Sequence, residues 1–307
     1  MKIILRSYLE KEVRQAMSEH PILGKLVPAD CFASLDAGDN RYISMDASSD
    51  GFEAYLRICK TVGKRTPFWP SMVIDKSELD HVKLFEAQSS GLVLRESDAV
   101  YSYNLNYLKS LPLRETAADA SIRLMPKAFK KSVSFPSNAI YALADWSDEY
   151  VISARVKQLF EEAGLTGFAG NPIFSLNGQE IPNYFLLYTD SILPPVVRDR
   201  TVLVSGQTPK TCVLSDFRKL GYLCYDTKQI ITRGDFHRSA EPFCSHRTPS
   251  TIVGRKAKEC IEANKLKGVK FKPVLGKDTA LYQCHSKLWE DVFTLLEKHS
   301  ISPFWFV

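Results

Sequence analysis

The 307-residue sequence (34.7 kDa) is 45% hydrophobic and 24% charged, a globular balance that excludes disordered, fibrous and collagen-like chains. Lys+Arg 40 against Asp+Glu 35 leaves a net charge of +5, too weak a footprint for a dedicated nucleic-acid binder. No run approaches the roughly 18 apolar residues that a membrane span needs, and the length implies two domains or one domain with a built-in duplication.

At the N-terminus, Ile3-Ile4-Leu5 is followed at once by Arg6 and by Glu10-Lys11-Glu12, so no export signal is expected. Ser7 and Glu10 have the spacing of a capping box and predict a helix carrying Leu9, Val13 and Met17. Pro67-Phe68-Trp69-Pro70 reads as a rigid extended segment. The seven cysteines (31, 59, 212, 224, 244, 260 and 284) contain no C-x-x-C pair, which fits buried thiols in a reduced, cytoplasmic protein.

The middle of the chain repeats itself. Val151–Ile173 aligns without a gap on Ile252–Val274, with Lys157/Lys258, Glu161/Glu262, Leu165/Leu266, Gly167/Gly268 and Pro172/Pro273 identical. An upstream block repeats in the same order, Val93-Leu94-Arg95-Glu96 matching Val196-Val197-Arg198-Asp199. In the first copy Ser153 is placed as an N-cap, Val156, Leu159, Phe160 and Ala163 form one stripe, and Gly164 ends the helix in a left-handed turn. In the second, Ala257, Cys260, Ile261 and Asn264 keep the same phase, and Val269–Val274 alternates as a half-buried strand. Phe185–Tyr188 and Thr201–Val204 read as strands. A C-terminal helix is predicted from Ser286, with Leu288, Trp289, Val292, Leu295 and Leu296 on its apolar face and Pro303 beyond its end. The expected fold is α+β: two related lobes from an internal duplication, each a small mixed or antiparallel sheet with packed helices. The expected boundaries are 1–78, a helix plus irregular chain packed on the first lobe; 79–178, the first module; and 179–307, the second module with the C-terminal helix.

The common nucleotide-binding, hydrolase and zincin motifs are absent, and neither a catalytic residue nor a cofactor is predicted. Cys224, His237, Cys244 and His246 have the residue types of a zinc site but not its spacing. Cys284-His285 and Cys244/His246 are the possible Cys–His pairs, and His20, His81 and His299 read as surface histidines. Basic residues crowd the second copy. Lys256, Lys265, Lys267, Lys270 and Lys272 are the candidate partner-binding residues, with Lys270 and Lys272 on one strand face. The Pro303-Phe304-Trp305-Phe306-Val307 tail is expected to fold back on the core.

The repeated residues carry a resemblance. Ile140-Tyr141, Val151-Ile152-Ser153, Leu165-Thr166-Gly167 and Pro172-Ile173, with Phe236-His237, Ile252-Val253, Leu266 to Phe271 and Pro273-Val274, resemble a family of bacterial immunity proteins from polymorphic-toxin and contact-killing loci. Asn183-Tyr184-Phe185-Leu186-Leu187 is similar to the opening strand of that family. The resemblance spans roughly residues 80–285 and departs from the pattern at Gly254, which stands where the first copy has Ser153. It implies a non-enzymatic cytoplasmic protein that binds and sterically blocks one cognate toxin, with no membrane partner. The alternatives are an enzyme with an interlobe site that reverses a toxin's modification, or a nucleic-acid or scaffold protein.

Overall fold

The computed structural model describes residues 1–8, 10–21, 23, 42–63, 68–90, 136–142, 150–174, 180–199, 203–205, 217–219, 221–230, 234–243 and 248–301. The elements run β1 (Lys2–Tyr8), α1 (Lys11–Ser18), β2 (Tyr42–Asp46), α2 (Asp50–Val62), β3 (Phe68–Val73), α3 (Lys76–Leu79), β4 (Leu84–Ser89) and β5 (Ile140–Ala142). They continue with β6 (Tyr150–Ser153), α4 (Ala154–Glu162), β7 (Ala169–Phe174), β8 (Glu180–Tyr188), β9 (Leu203–Ser205), β10 (Phe217–Lys219) and β11 (Cys224–Tyr225). The last are β12 (Phe236–Phe243), β13 (Thr248–Gly254), α5 (Arg255–Ala263), β14 (Val269–Gly276) and α6 (Ala280–Lys298). The fold is α+β, and no helix among the described residues is long and apolar enough to cross a membrane.

The N-terminal region departs from expectation. Ser7 lies inside β1, fully buried, and its hydroxyl accepts a 3.0 Å hydrogen bond from Tyr55. Helix α1 starts at Lys11 after Glu10, which makes no side-chain cap. The period-2 burial of Ile3, Leu5 and Ser7 outweighs the Ser-x-x-Glu spacing, because only a strand buries all three on one face. Instead of a helix with irregular chain, these residues form an antiparallel sheet of order β2-β1-β3 with two helices. Ser49 caps α2 by accepting from Phe52 N, and Gly63, at φ +69°, ends it.

The partner of this sheet is the C-terminal helix. Ile3, Leu5, Met17, Phe52, Tyr55 and Leu56 share one core with Trp289, Val292, Phe293 and Leu296 of α6. Helix α6 begins well before Ser286, at a Thr279 cap whose hydroxyl accepts from Tyr282 N. The extra turns bring Tyr282 and His285 onto its buried stripe. The aromatic tail expected to fold back lies outside the described residues beyond Ile301.

Two strand–helix–turn–strand units, β6-α4-β7 and β13-α5-β14, lie at the two stretches aligned in the sequence. Ser153 caps α4, with Val156 N donating to its hydroxyl at 3.2 Å, whereas Gly254 begins α5 without a side-chain cap. Both helices close alike: Leu165 N donates to Phe160 O at 2.9 Å and Leu266 N to Ile261 O at 3.0 Å. Gly164 and Lys265 take the left-handed conformation at corresponding places, φ +60° and +51°. Gly167 and Gly268 follow, at φ +78° and +104°.

The first unit sits in a sheet of order β5-β6-β8-β7 and the second in one of order β11-β14-β4-β13-β12. In β14 the burial runs together at Pro273, Val274 and Leu275 instead of alternating, because β4 and β11 flank that end of the strand. Among the described residues the two units share one core. Val156 and Phe160 of α4 and Ala257 and Ile261 of α5 meet in one core with Phe85, Ile152, Phe236 and Val253.

Candidate functional site

The predicted lysines fall in three places. Lys256 is on the exposed side of α5, and its Nζ donates to Gly164 O at 2.7 Å, across to the first unit. Lys265 and Lys267 are exposed in the turn after α5. The main chain of Lys267 there accepts from Ile140 N at 2.8 Å and donates to Asn138 O at 3.1 Å. Lys270 is exposed and Lys272 half-buried on β14, paired in register with Gln88 and Glu86 of β4.

Strand alternation gives the β4–β14 sheet two unlike faces. Phe85, Ala87, Phe236 and Val253 point to the shared core. On the other face Leu84, Ile252 and Val274 join a second apolar cluster with Leu223 and Tyr225. Farther along that face, beside Lys270 and Lys272, the lining turns polar. Glu86 is 0% exposed; it accepts from Ser250 Oγ at 2.7 Å and from Gln88 Nε2 at 3.3 Å. Ser250 N in turn donates to Ser239 Oγ at 2.8 Å. A buried carboxylate needs such donors to remain in the interior. Glu86 went unnoticed in the sequence, where the only signal is one acid inside the apolar run Leu84-Phe85-Glu86-Ala87.

His237 lies on the same face, fully buried. Its Nε2 is 2.9 Å from Gly234 O, and a carbonyl only accepts, so the proton sits on Nε2. Nδ1 is then free to accept from Ser191 Oγ at 2.7 Å. Burial pulls the imidazole below its ordinary pKa, against the opposing pull of the Gly234 carbonyl and Asp235. The pair is nucleophile and base in kind, but a fully buried ring has no path to a leaving group in this conformation.

The other sequence candidates do not assemble. Burial, and then Asp199, pushes the Cys224 thiol up to about 12, so by itself it stays protonated at neutral pH. Cys244 and His246 lie outside the described residues, among which no group of three or more His, Cys, Asp or Glu is placed to hold a metal ion. Cys284 is exposed while His285 is buried, since neighbours on a helix point about 100° apart. His299 is no surface histidine: it is 8% exposed, with Nε2 3.4 Å from Glu53 Oε1. Hydrogen bonds from Lys298 and Arg57 hold the Glu53 carboxyl down to about 2.

Compared with known proteins, the sequence matches no family model and no curated protein.

Proposed function

We propose that this protein is a cytoplasmic immunity protein that binds a cognate bacterial toxin and neutralises it by covering the toxin's working surface, and that it is built from two copies of one module. The observation that carries the reading is the like geometry of two strand–helix–turn–strand stretches. The residues behind the family resemblance occupy like places twice, Val151-Ile152 in β6 and Ile252-Val253 in β13, then Leu165 to Gly167 and Leu266 to Gly268 in turns closed by the same hydrogen bonds.

The exposed Lys265, Lys267 and Lys270 offer a positive surface to an acidic partner. The test is to express the neighbouring open reading frame in a sensitive host with and without this protein, and to purify the pair. Rescue with a stoichiometric complex supports occlusion; absence of both toxicity and a complex overturns the reading. In a complex, reversing Lys265, Lys267 and Lys270 to glutamate is expected to slow association about tenfold at low salt and flatten its salt dependence. An unchanged association rate and salt slope would remove this face from the interface.

A further inference from the structure

We infer that the two copies exchange their opening strands: β4, which opens the first copy, completes the sheet of the second, and β8, which opens the second, completes the sheet of the first. The inference rests on the two-copy reading and goes beyond it by naming the surface through which the copies hold each other.

The registers match on both sides of the middle strands. In one sheet Ile152 and Pro172 flank Phe185, while Val151 and Asn171 flank Leu186. In the other Val253 and Pro273 flank Phe85, while Ile252 and Lys272 flank Glu86. Each flanking residue has its sequence-repeat partner at the matching position, so Phe85 and Phe185 are equivalent. The side chains agree: Lys157 Nζ stands 5.1 Å from the Phe185 ring centroid, and Lys258 Nζ stands 5.1 Å from that of Phe85. Each lysine also pairs with the glutamate one turn on, Glu161 or Glu262.

Chain order makes the arrangement an exchange. Strand β4 precedes its hairpin β5-β6 by residues 90–139, and β8 precedes the hairpin β12-β13 by the similar stretch 189–235. The repeated blocks Val93 to Glu96 and Val196 to Asp199 follow the two strands in turn. The strands therefore hold the same place in their copies, yet Phe85 lies under the lysine of the second copy and Phe185 under that of the first. The glycine turns cross likewise. A side chain at Gly167 would meet Phe236 O of the second copy at 3.0 Å, and one at Gly268 would overlap Ile140 O of the first. Each copy alone thus carries a slot one strand wide between two unpaired edges, and the occupant that fits is the other copy's opening strand.

The test uses the full chain with a specific protease sequence placed within residues 175–179, between β7 and β8. After native cleavage the two pieces are expected to run as one 1:1 species with the mass of the intact chain, held by the exchanged strands together with the N-terminal core that α6 closes, so the exchange itself is read from the second measurement below. Two separately folded species would overturn the exchange while leaving the two-copy reading and the rescue assay untouched. A second readout is amide hydrogen exchange on the uncut chain. Phe85→Ala is expected to speed exchange in β13 and β14 more than in β6 and β7, and Phe185→Ala to do the reverse. Loosening confined to the variant's own copy would also overturn the exchange.

Discussion

Gly268→Ala is expected to destabilise the protein by about 2–5 kcal/mol, the sum of a left-handed backbone penalty and an overpacking penalty. Gly268 sits at φ +104°, and a Cβ there would overlap the carbonyl of Ile140. That carbonyl belongs to β5, whose Ile140 is held by pairing with Ile152 and by donation of its N–H to Lys267 O at 2.8 Å. Neither partner can withdraw without breaking the contact between the two units. Gly164→Ala is the control. Gly164 also has a positive φ, +60°, but its nearest neighbour would be the flexible tip of Lys256 at 3.6 Å. Only the backbone penalty applies there, about 1–2 kcal/mol. Urea unfolding of the two variants separates the effects. If both unfold at the same midpoint, the close approach to Ile140 contributes nothing.

Acid is expected to remove about 3 kcal/mol of stability between pH 7 and pH 4 through His285 alone, at about 1.4 kcal/mol per unit of pKa difference. Neither ring nitrogen of His285 has a hydrogen-bond partner among the described residues, and the residue is fully buried between Tyr222 and Tyr282. Burial lowers its pKa from 6.5 to about 4; Asp199, which accepts from the Tyr282 hydroxyl at 3.1 Å, opposes the shift. Between those values the unfolded chain binds a proton that the folded one refuses. The stabilisation is therefore complete above 6.5 and is lost as the pH falls toward 4. His237, also buried, adds a loss of the same sign. The Glu53 cluster breaks in a separate and lower window, between 4.5 and about 2. His285→Phe keeps a ring between the two tyrosines and removes the proton site, so its stability should fall less steeply from pH 6.5 to 4. An unchanged pH profile in that variant would assign the acid sensitivity elsewhere. Because His285 is on α6, which also closes the N-terminal core through Trp289, its protonation would loosen both ends of the chain together.

The elements readable in the sequence share a physical property: each depends on residues within about one helical turn or one strand. The Ser153 cap, the Gly164 turn, the stripe of α4 and the apolar face of α6 are set by neighbours three or four positions away. Strand β8 was legible from its run of large apolar residues. The Ser7–Glu10 spacing is equally local, but it competes with the alternation of Ile3, Leu5 and Ser7, and only the core formed with Trp289 decides between them. His299 looked like a surface residue because nothing nearby in sequence announces Glu53.

Composition and pattern alone determined the α+β class, the strand–helix–turn–strand order at 150–174 and 248–276, and the lysine enrichment of the second of these stretches. Only the tertiary structure decided which strand stands in the middle of which sheet. β4 pairs with β13 and β14, which begin at Thr248 and Val269, and the buried Glu86–Ser250 contact and the part-buried Ser191–His237 contact follow from that placement and the folding-back of β12. Such pairing could not be read in advance. Side-chain periodicity states which face of a strand is buried, whereas the strand that supplies its neighbouring edge is selected by packing across the whole chain.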